Sequence, residues 1–198
     1  MKQPEKRIGL FGGTFDPIHY GHLIAAEQAR DQMQLDEVWF LPAKIPPHKQ
    51  RDDIAPEQHR MRMVELATAD YPLFHVTDIE LHRAGPSYTV ETMREIKQRY
   101  PHDHFFFIIG GDMVEMLPQW HRIEELTTMV HFIGLARPGA DLDPRAFAPY
   151  VTYVGMPSIE LSSTMIRERV SAGRSIRYLV PDAVERYIKE HRLYESFG

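Results

Sequence analysis

A chain of 198 residues is long enough for one domain with a substantial core and short for two, so a single domain over 1–198 is expected. Its 43% hydrophobic and 26% charged residues are ordinary for a globular protein, and a net charge of −5 argues against a general nucleic-acid surface, though not against an anionic substrate. The absence of cysteine excludes disulfides and thiolate metal sites, and neither the start MKQPEKR nor any later run is apolar enough for a signal or a membrane span, so a cytoplasmic location is expected.

The first apolar run, Ile8, Leu10 and Phe11, predicts a buried strand over 7–13, and the helix formers from Leu23 predict a helix over roughly 20–33. Between them lies Gly12-Gly13-Thr14-Phe15-Asp16-Pro17-Ile18-His19-Tyr20-Gly21-His22, a glycine turn that opens a helix. Glycines there permit a positive φ and a close approach of ligand to backbone. The free N–H groups and dipole of the helix start attract phosphate. His19 and His22, three residues apart, can face one ligand. By spacing alone, a metal-binding or structural histidine pair fits equally. A second strand over Glu37–Leu41, ended by Pro42, completes a βαβ unit and hence a parallel sheet. In such sheets ligands sit beyond the carboxyl ends of the strands, where the glycine turn lies.

Residues 43–55 read as a proline-containing loop in which Lys44, His48 and Lys49 could bind an anion. A helix follows over Pro56–Ala69, then a strand over Phe74–Ile79 and a turn region over Leu81–Pro86. The next helix runs to about Tyr100, with Ser87 or Thr89 as its cap. His104–Ile109 is a near-continuous apolar run, as expected of a central strand buried on both faces. It ends in a second glycine turn, Gly110-Gly111-Asp112, followed by a short helix over Met113–Leu117 stopped by Pro118, by Trp120, and by a helical Ile123–Leu126. Val130–Ala136 and Val151–Val154 read as strands, with a loop at Asp141–Pro149. Ser162-Ser163-Thr164 then cap a helix bearing Arg167, and Pro181–His191 forms a terminal helix with no catalytic signal. The fold class is α/β: a doubly wound, mostly parallel sheet with helices on both faces and a small helical C-terminal part.

The stretch GGTFDPIHYGH resembles the [T/H]xxH signature of the nucleotidyltransferase superfamily, with Thr14, His19 and His22 at the matching positions. Far along the chain, SSTMIR resembles that superfamily's second signature. Three further segments resemble the nicotinate-nucleotide adenylyltransferase family. They are Pro46-Pro47-His48-Lys49, the SYTxDT element (with Glu91 where aspartate is usual), and the GxD…W pattern from Gly110 to Trp120, although His121 stands where an aromatic is frequent.

The resemblance implies transfer of the adenylyl group of ATP to nicotinate mononucleotide. His19 and His22 would be catalytic, and Gly12, Gly13, Thr14, Phe15, Gly110, Asp112, Ser162, Ser163, Thr164 and Arg167 would join them in holding ATP. Lys44, His48, Lys49, Thr89, Gly111 and Trp120 would hold the mononucleotide. Mg²⁺ is expected mainly as the counter-ion of ATP, with Asp16 and Asp112 orienting groups and not forming a metal cage. A pocket selecting nicotinate over nicotinamide should present donors and no carboxylate. Partners are the two small substrates, with no nucleic acid and no membrane, and a homo-oligomer is left open. The competing readings are a related enzyme acting on nicotinamide mononucleotide or phosphopantetheine, a non-catalytic nucleotide-binding module, and a metal-dependent hydrolase using the histidine pair.

Overall fold

The computed structural model describes residues 5–43, 54–82, 88–136, 139, 147 and 149–195. Lys44, His48, Lys49, Ser87 and most of the loop expected at Asp141–Pro149 lie outside them. Six strands form one sheet: β1 (Arg7–Gly13), β2 (Glu37–Pro42), β3 (Phe74–Val76), β4 (His104–Gly110), β5 (His131–Ala136) and β6 (Val151–Gly155), in the order β3-β2-β1-β4-β5-β6. Every pairing is parallel, so the mostly parallel sheet expected is parallel throughout. The order reverses between β1 and β4, and such a switch point opens a crevice at the carboxyl ends of the strands.

Strand alternation divides the core in two. On one face Phe11, Phe106 and Ile108 pack with Ala25, Ala26 and Ala29 of α1 (Tyr20–Gln32), Met63 and Val64 of α2 (Glu57–Thr68), Ile166 of α6 (Ser163–Ser171), and Val184 and Ile188 of α7 (Asp182–Glu190). On the other, Ile8, Leu10, Phe105, Phe107 and Ile109 pack with Met93 and Ile96 of α3 (Thr89–Arg99), Val114 of α4 (Gly111–Val114) and Leu126 of α5 (Ile123–Met129). A strand buried on both faces needs no polar alternation, which explains the unbroken HFFFII run of β4. Among the described residues no helix is long and apolar enough to cross a membrane.

Three expected boundaries shift. β3 stops at Val76, opposite Phe40 near the end of its only partner strand, and the chain turns where Leu81 N–H donates to Asp78 O at 2.8 Å. α3 has Tyr88 at its cap with no side-chain cap bond, so Thr89 is the first helical residue and not the cap. The short helix starts at Gly111, and Pro118 sits inside a 3-10 turn over Leu117–Gln119, where its missing N–H leaves no bond unmade.

Candidate active site

β1 delivers the chain to the turn and α1 carries it away, with His19 at the helix cap. The glycines of this turn act through space, not through φ. None of Gly12, Gly13 and Gly21 has a positive φ; the left-handed residue is Phe15, at φ 50°. A Cβ on Gly21 would lie 2.9 Å from Cε1 and Nδ1 of His19, so only glycine lets that ring lie over the helix backbone. The His19 and His22 rings stack with centroids 3.7 Å apart, and Phe15 meets His22 edge-on at 5.1 Å. Phe15 is therefore a core residue that sets the histidine pair, its ring also packed on Phe11 and Phe40.

The backbone N–H of His19 donates to His22 Nδ1 at 3.3 Å, which leaves the proton of neutral His22 on Nε2 as a donor. His19 is buried and its Nδ1 has no hydrogen-bond partner. Burial holds its pKa down to about 4. Unfolded histidine binds a proton near 6.5, so between these values the unfolded chain holds more protons. Stability is then present above about pH 6.5 and is lost as pH falls toward 4. Between pH 7 and pH 5 the loss due to this group should be about 2 kcal/mol. Urea midpoints at both values should show it in the wild type and not in His19→Leu; equal pH slopes in the two proteins would refute the assignment.

The turn is fixed from three sides. From α6, Ser163 Oγ donates to Pro17 O at 2.9 Å and Arg167 donates to Asp16 O at 2.8 Å, with its guanidinium 3.8 Å from Asp16 Oδ2. Ser162 Oγ caps α6 by accepting from Met165 N–H at 3.2 Å, and Thr164 Oγ1 accepts from Arg167 at 3.4 Å. From α2, Arg60, only 1% exposed, donates to Thr14 O at 2.8 Å and Ala55 O at 3.0 Å. From the end of the chain, Tyr194 donates to Asp16 Oδ1 at 2.7 Å. Arg60 and Tyr194 escaped the sequence reading. The one signal was an arginine among Met63 and Val64 on the buried face of α2.

Two clefts open at the carboxyl edge of the sheet, one on each face, and meet at Phe11 and Gly110. The first, ≈ 610 Å³, brings together Thr14, His19, His22, Gly110, Gly111, Asp112, Ser162, Ser163, Thr164 and Arg167. Gly12 and Gly13, grouped with ATP by the resemblance, line the second, and Gly111, grouped with the mononucleotide, lines the first. The reason is the geometry of parallel strands: β1 ends with Gly12 and Gly13 beside β2, while Gly111 opens α4 on the far side of β4.

The second cleft, ≈ 710 Å³, is more apolar, with Phe107, Met113, Met116 and Trp120 in its wall alongside Thr89. Trp120 meets Phe107 and Phe132 edge-on at 6.0 and 5.9 Å, so it joins the core while lining the cleft. Tyr88 and His121 pair at 4.5 Å on the rim, a site the sequence reading did not assign. The pocket also contains a carboxylate, contrary to expectation: buried Glu80 lines it and accepts from Thr92 Oγ1 at 3.0 Å. That hydroxyl, on the inner face of α3, gives the buried carboxyl group a hydrogen-bond partner. Ala43 lines the second cleft and Ile54 the first, while Lys44, His48 and Lys49 lie outside the described residues. Among the described residues no group of three histidine or acidic side chains could hold a metal ion.

A parallel sheet with a phosphate-type turn at its switch point defines a nucleotide-binding α/β fold, and the family model described as cytidylyltransferase-like matches residues 10–169. The chain is thus a nucleotidyltransferase by class. It is 48% identical over 192 residues to the nicotinate-nucleotide adenylyltransferase of Bacillus subtilis (strain 168), covering 96% of this chain and 100% of that one. It is 53% identical over 189 residues to a probable nicotinate-nucleotide adenylyltransferase of Geobacillus thermodenitrificans (strain NG80-2), covering 95% and 86%. The chain belongs to the nicotinate-nucleotide adenylyltransferase family. A solved Plasmodium falciparum nicotinic acid mononucleotide adenylyltransferase complexed with NaAD shares the fold, with a TM-score of 0.81 at 21% identity over 96% of this chain and 98% of that one.

Proposed function

We propose that the protein joins ATP and nicotinate mononucleotide into nicotinate adenine dinucleotide with release of pyrophosphate. The observation that carries this reading is the pair of clefts meeting at Phe11 and Gly110: one is rich in phosphate-type donors, the other apolar and aromatic. A dinucleotide has the same bipartite character, and the meeting point is where its two phosphates would be joined.

In the reaction a phosphate oxygen of the mononucleotide attacks the α-phosphorus of ATP in line. The new P–O bond forms as the bond to the β-phosphate breaks, and pyrophosphate leaves with that electron pair. No protein nucleophile is needed, so the protein's task is positioning and stabilisation of charge. His22, with its proton on Nε2, donates to an α-phosphate oxygen. His19 uses Nε2, because Nδ1 is buried over Gly21. Thr164, Arg167 and the first N–H groups of α6 hold the β- and γ-phosphates. Asp112, exposed at the first cleft, would be the carboxylate to meet an ATP–Mg²⁺ complex, since Asp16 is engaged by Tyr194 and Arg167, and the ion would supply neutralisation of the phosphate charge. Lys44, His48 and Lys49 are proposed to meet the incoming mononucleotide phosphate, and Trp120 the pyridinium ring.

Pyrophosphate release tests the reading: it should require both ATP and the mononucleotide. The Trp120 assignment has its own test. Trp120→Leu keeps apolar bulk against Phe107 and Phe132 while removing the π face. A cation–π contact of roughly 1–2 kcal/mol should make KM for the mononucleotide about tenfold higher, with KM for ATP within about twofold. An unchanged mononucleotide KM would leave Trp120 as a core residue only.

A further inference from the structure

Asp16 is a carboxylate in the wall of a cleft read here as a polyphosphate site. It is 4% exposed, yet it lines that cleft. A carboxylate free to rotate there would oppose the negative charge of ATP and compete with it for Arg167. Its oxygens have separate partners. Oδ1 accepts from Tyr194 OH at 2.7 Å and from Ala55 N–H at 3.3 Å. Oδ2 lies 3.8 Å from the Arg167 guanidinium, which is itself pinned to Asp16 O. Tyr194 lies beyond the end of α7, 178 residues from Asp16 in sequence, and the backbone turns there at φ 65° to bring the ring inward.

We propose that Tyr194 is a positioning residue for ATP binding: its hydroxyl clamps Oδ1 of Asp16, keeping the carboxylate out of the phosphate path and from drawing the Arg167 guanidinium further toward itself, so that Arg167, anchored on Asp16 O, can meet the phosphates. The proposal rests on the reading of the first cleft as the ATP site. Burial and the adjacent carboxylate push the Tyr194 hydroxyl far above its usual range, so it remains a donor across the working pH. Arg60 donates to the backbone on either side of this pair, at Thr14 O and Ala55 O, and so fixes the frame within which the clamp operates.

Tyr194→Phe removes the donor and keeps the ring. Binding of a non-hydrolysable ATP analogue should weaken at least fivefold by isothermal titration, KM for ATP should rise in parallel, and KM for the mononucleotide should change less than twofold. A double-mutant cycle isolates the cause: in an Asp16→Asn background, which lacks the charge to be restrained, the Tyr194→Phe step should alter analogue affinity less than twofold. A tether that merely stabilises the fold would lower the melting temperature and leave both KM values alone, or raise both equally, and either result overturns the proposal. An equal loss in the Asp16→Asn background overturns it as well. Wild-type protein that makes dinucleotide while Tyr194→Phe binds the analogue normally refutes the clamp alone. Wild-type protein that makes none refutes the ATP reading, and the clamp with it.

Discussion

Replacing His22 by alanine is expected to lower kcat on the order of 10²–10³-fold, equivalent to about 3–4 kcal/mol of lost stabilisation at the α-phosphate. The size follows from preorganisation. His22 is held by the His19 N–H at Nδ1, by the stacked His19 ring and by the edge of Phe15, so its ring orientation is set before substrate arrives. Alanine removes the donor without removing the cleft, so KM for ATP should move much less than kcat. His19→Ala should lower kcat on a similar scale, and the double variant should fall well short of the product of the two, since stacked rings serving one phosphate act as a unit. Steady-state kinetics on protein with a native circular dichroism spectrum checks this; near-normal kcat in folded His22→Ala would end the catalytic assignment.

The largest effect on stability is expected at Arg60. Arg60→Met fills much of the same volume but withdraws the donors to Thr14 O and Ala55 O. It also removes the buried positive charge near Asp16. The two acceptors are half-buried, so each loss should fall toward the low end of roughly 1–3 kcal/mol, and removing the buried guanidinium brings the total to roughly 3 kcal/mol. The melting temperature should fall by about 10 °C, since each kcal/mol is worth about 2–4 °C in a chain of this length. Arg60→Lys should recover only part of it, because an ammonium cannot serve two carbonyls on either side of a planar fork. A loss below about 1 kcal/mol in Arg60→Met would show that the turn is held by its α6 and Tyr194 contacts.

Much of this architecture was legible in the amino-acid order because it is locally encoded. The apolar runs of β1, β2 and β4 and the turn chemistry after β1 and β4 act within a few residues of themselves, and so does the Ser162 cap. What escaped depends on residues brought together from afar. Arg60 is one polar residue on a buried helical face, and nothing within a turn of it reveals that its partners are Thr14 and Ala55. Tyr194 lies just past an ordinary amphipathic helix, and its partner is near the other end of the chain. Glu80 falls between the expected strand and the expected turn, and the hydrogen bond it accepts from Thr92 on the inner face of α3 is set by the fold and not by its neighbours. The positive φ expected of the turn glycines is absent at Gly12, Gly13 and Gly21. Ring packing, through His19 over Gly21 and Phe15 against Gly13, decides their identity, and periodicity carries no trace of it.

Mass spectrometry of the products formed from ATP, Mg²⁺ and either mononucleotide tests the account most directly. With nicotinate mononucleotide the expected products are nicotinate adenine dinucleotide and pyrophosphate in equal amounts. The nicotinamide form is the comparison: Glu80 in the second cleft is an acceptor for an amide N–H, so any preference for the acid must come from donors elsewhere in that cleft. Release of ADP and phosphate, or pyrophosphate formed without a mononucleotide acceptor, would contradict adenylyl transfer across the two clefts.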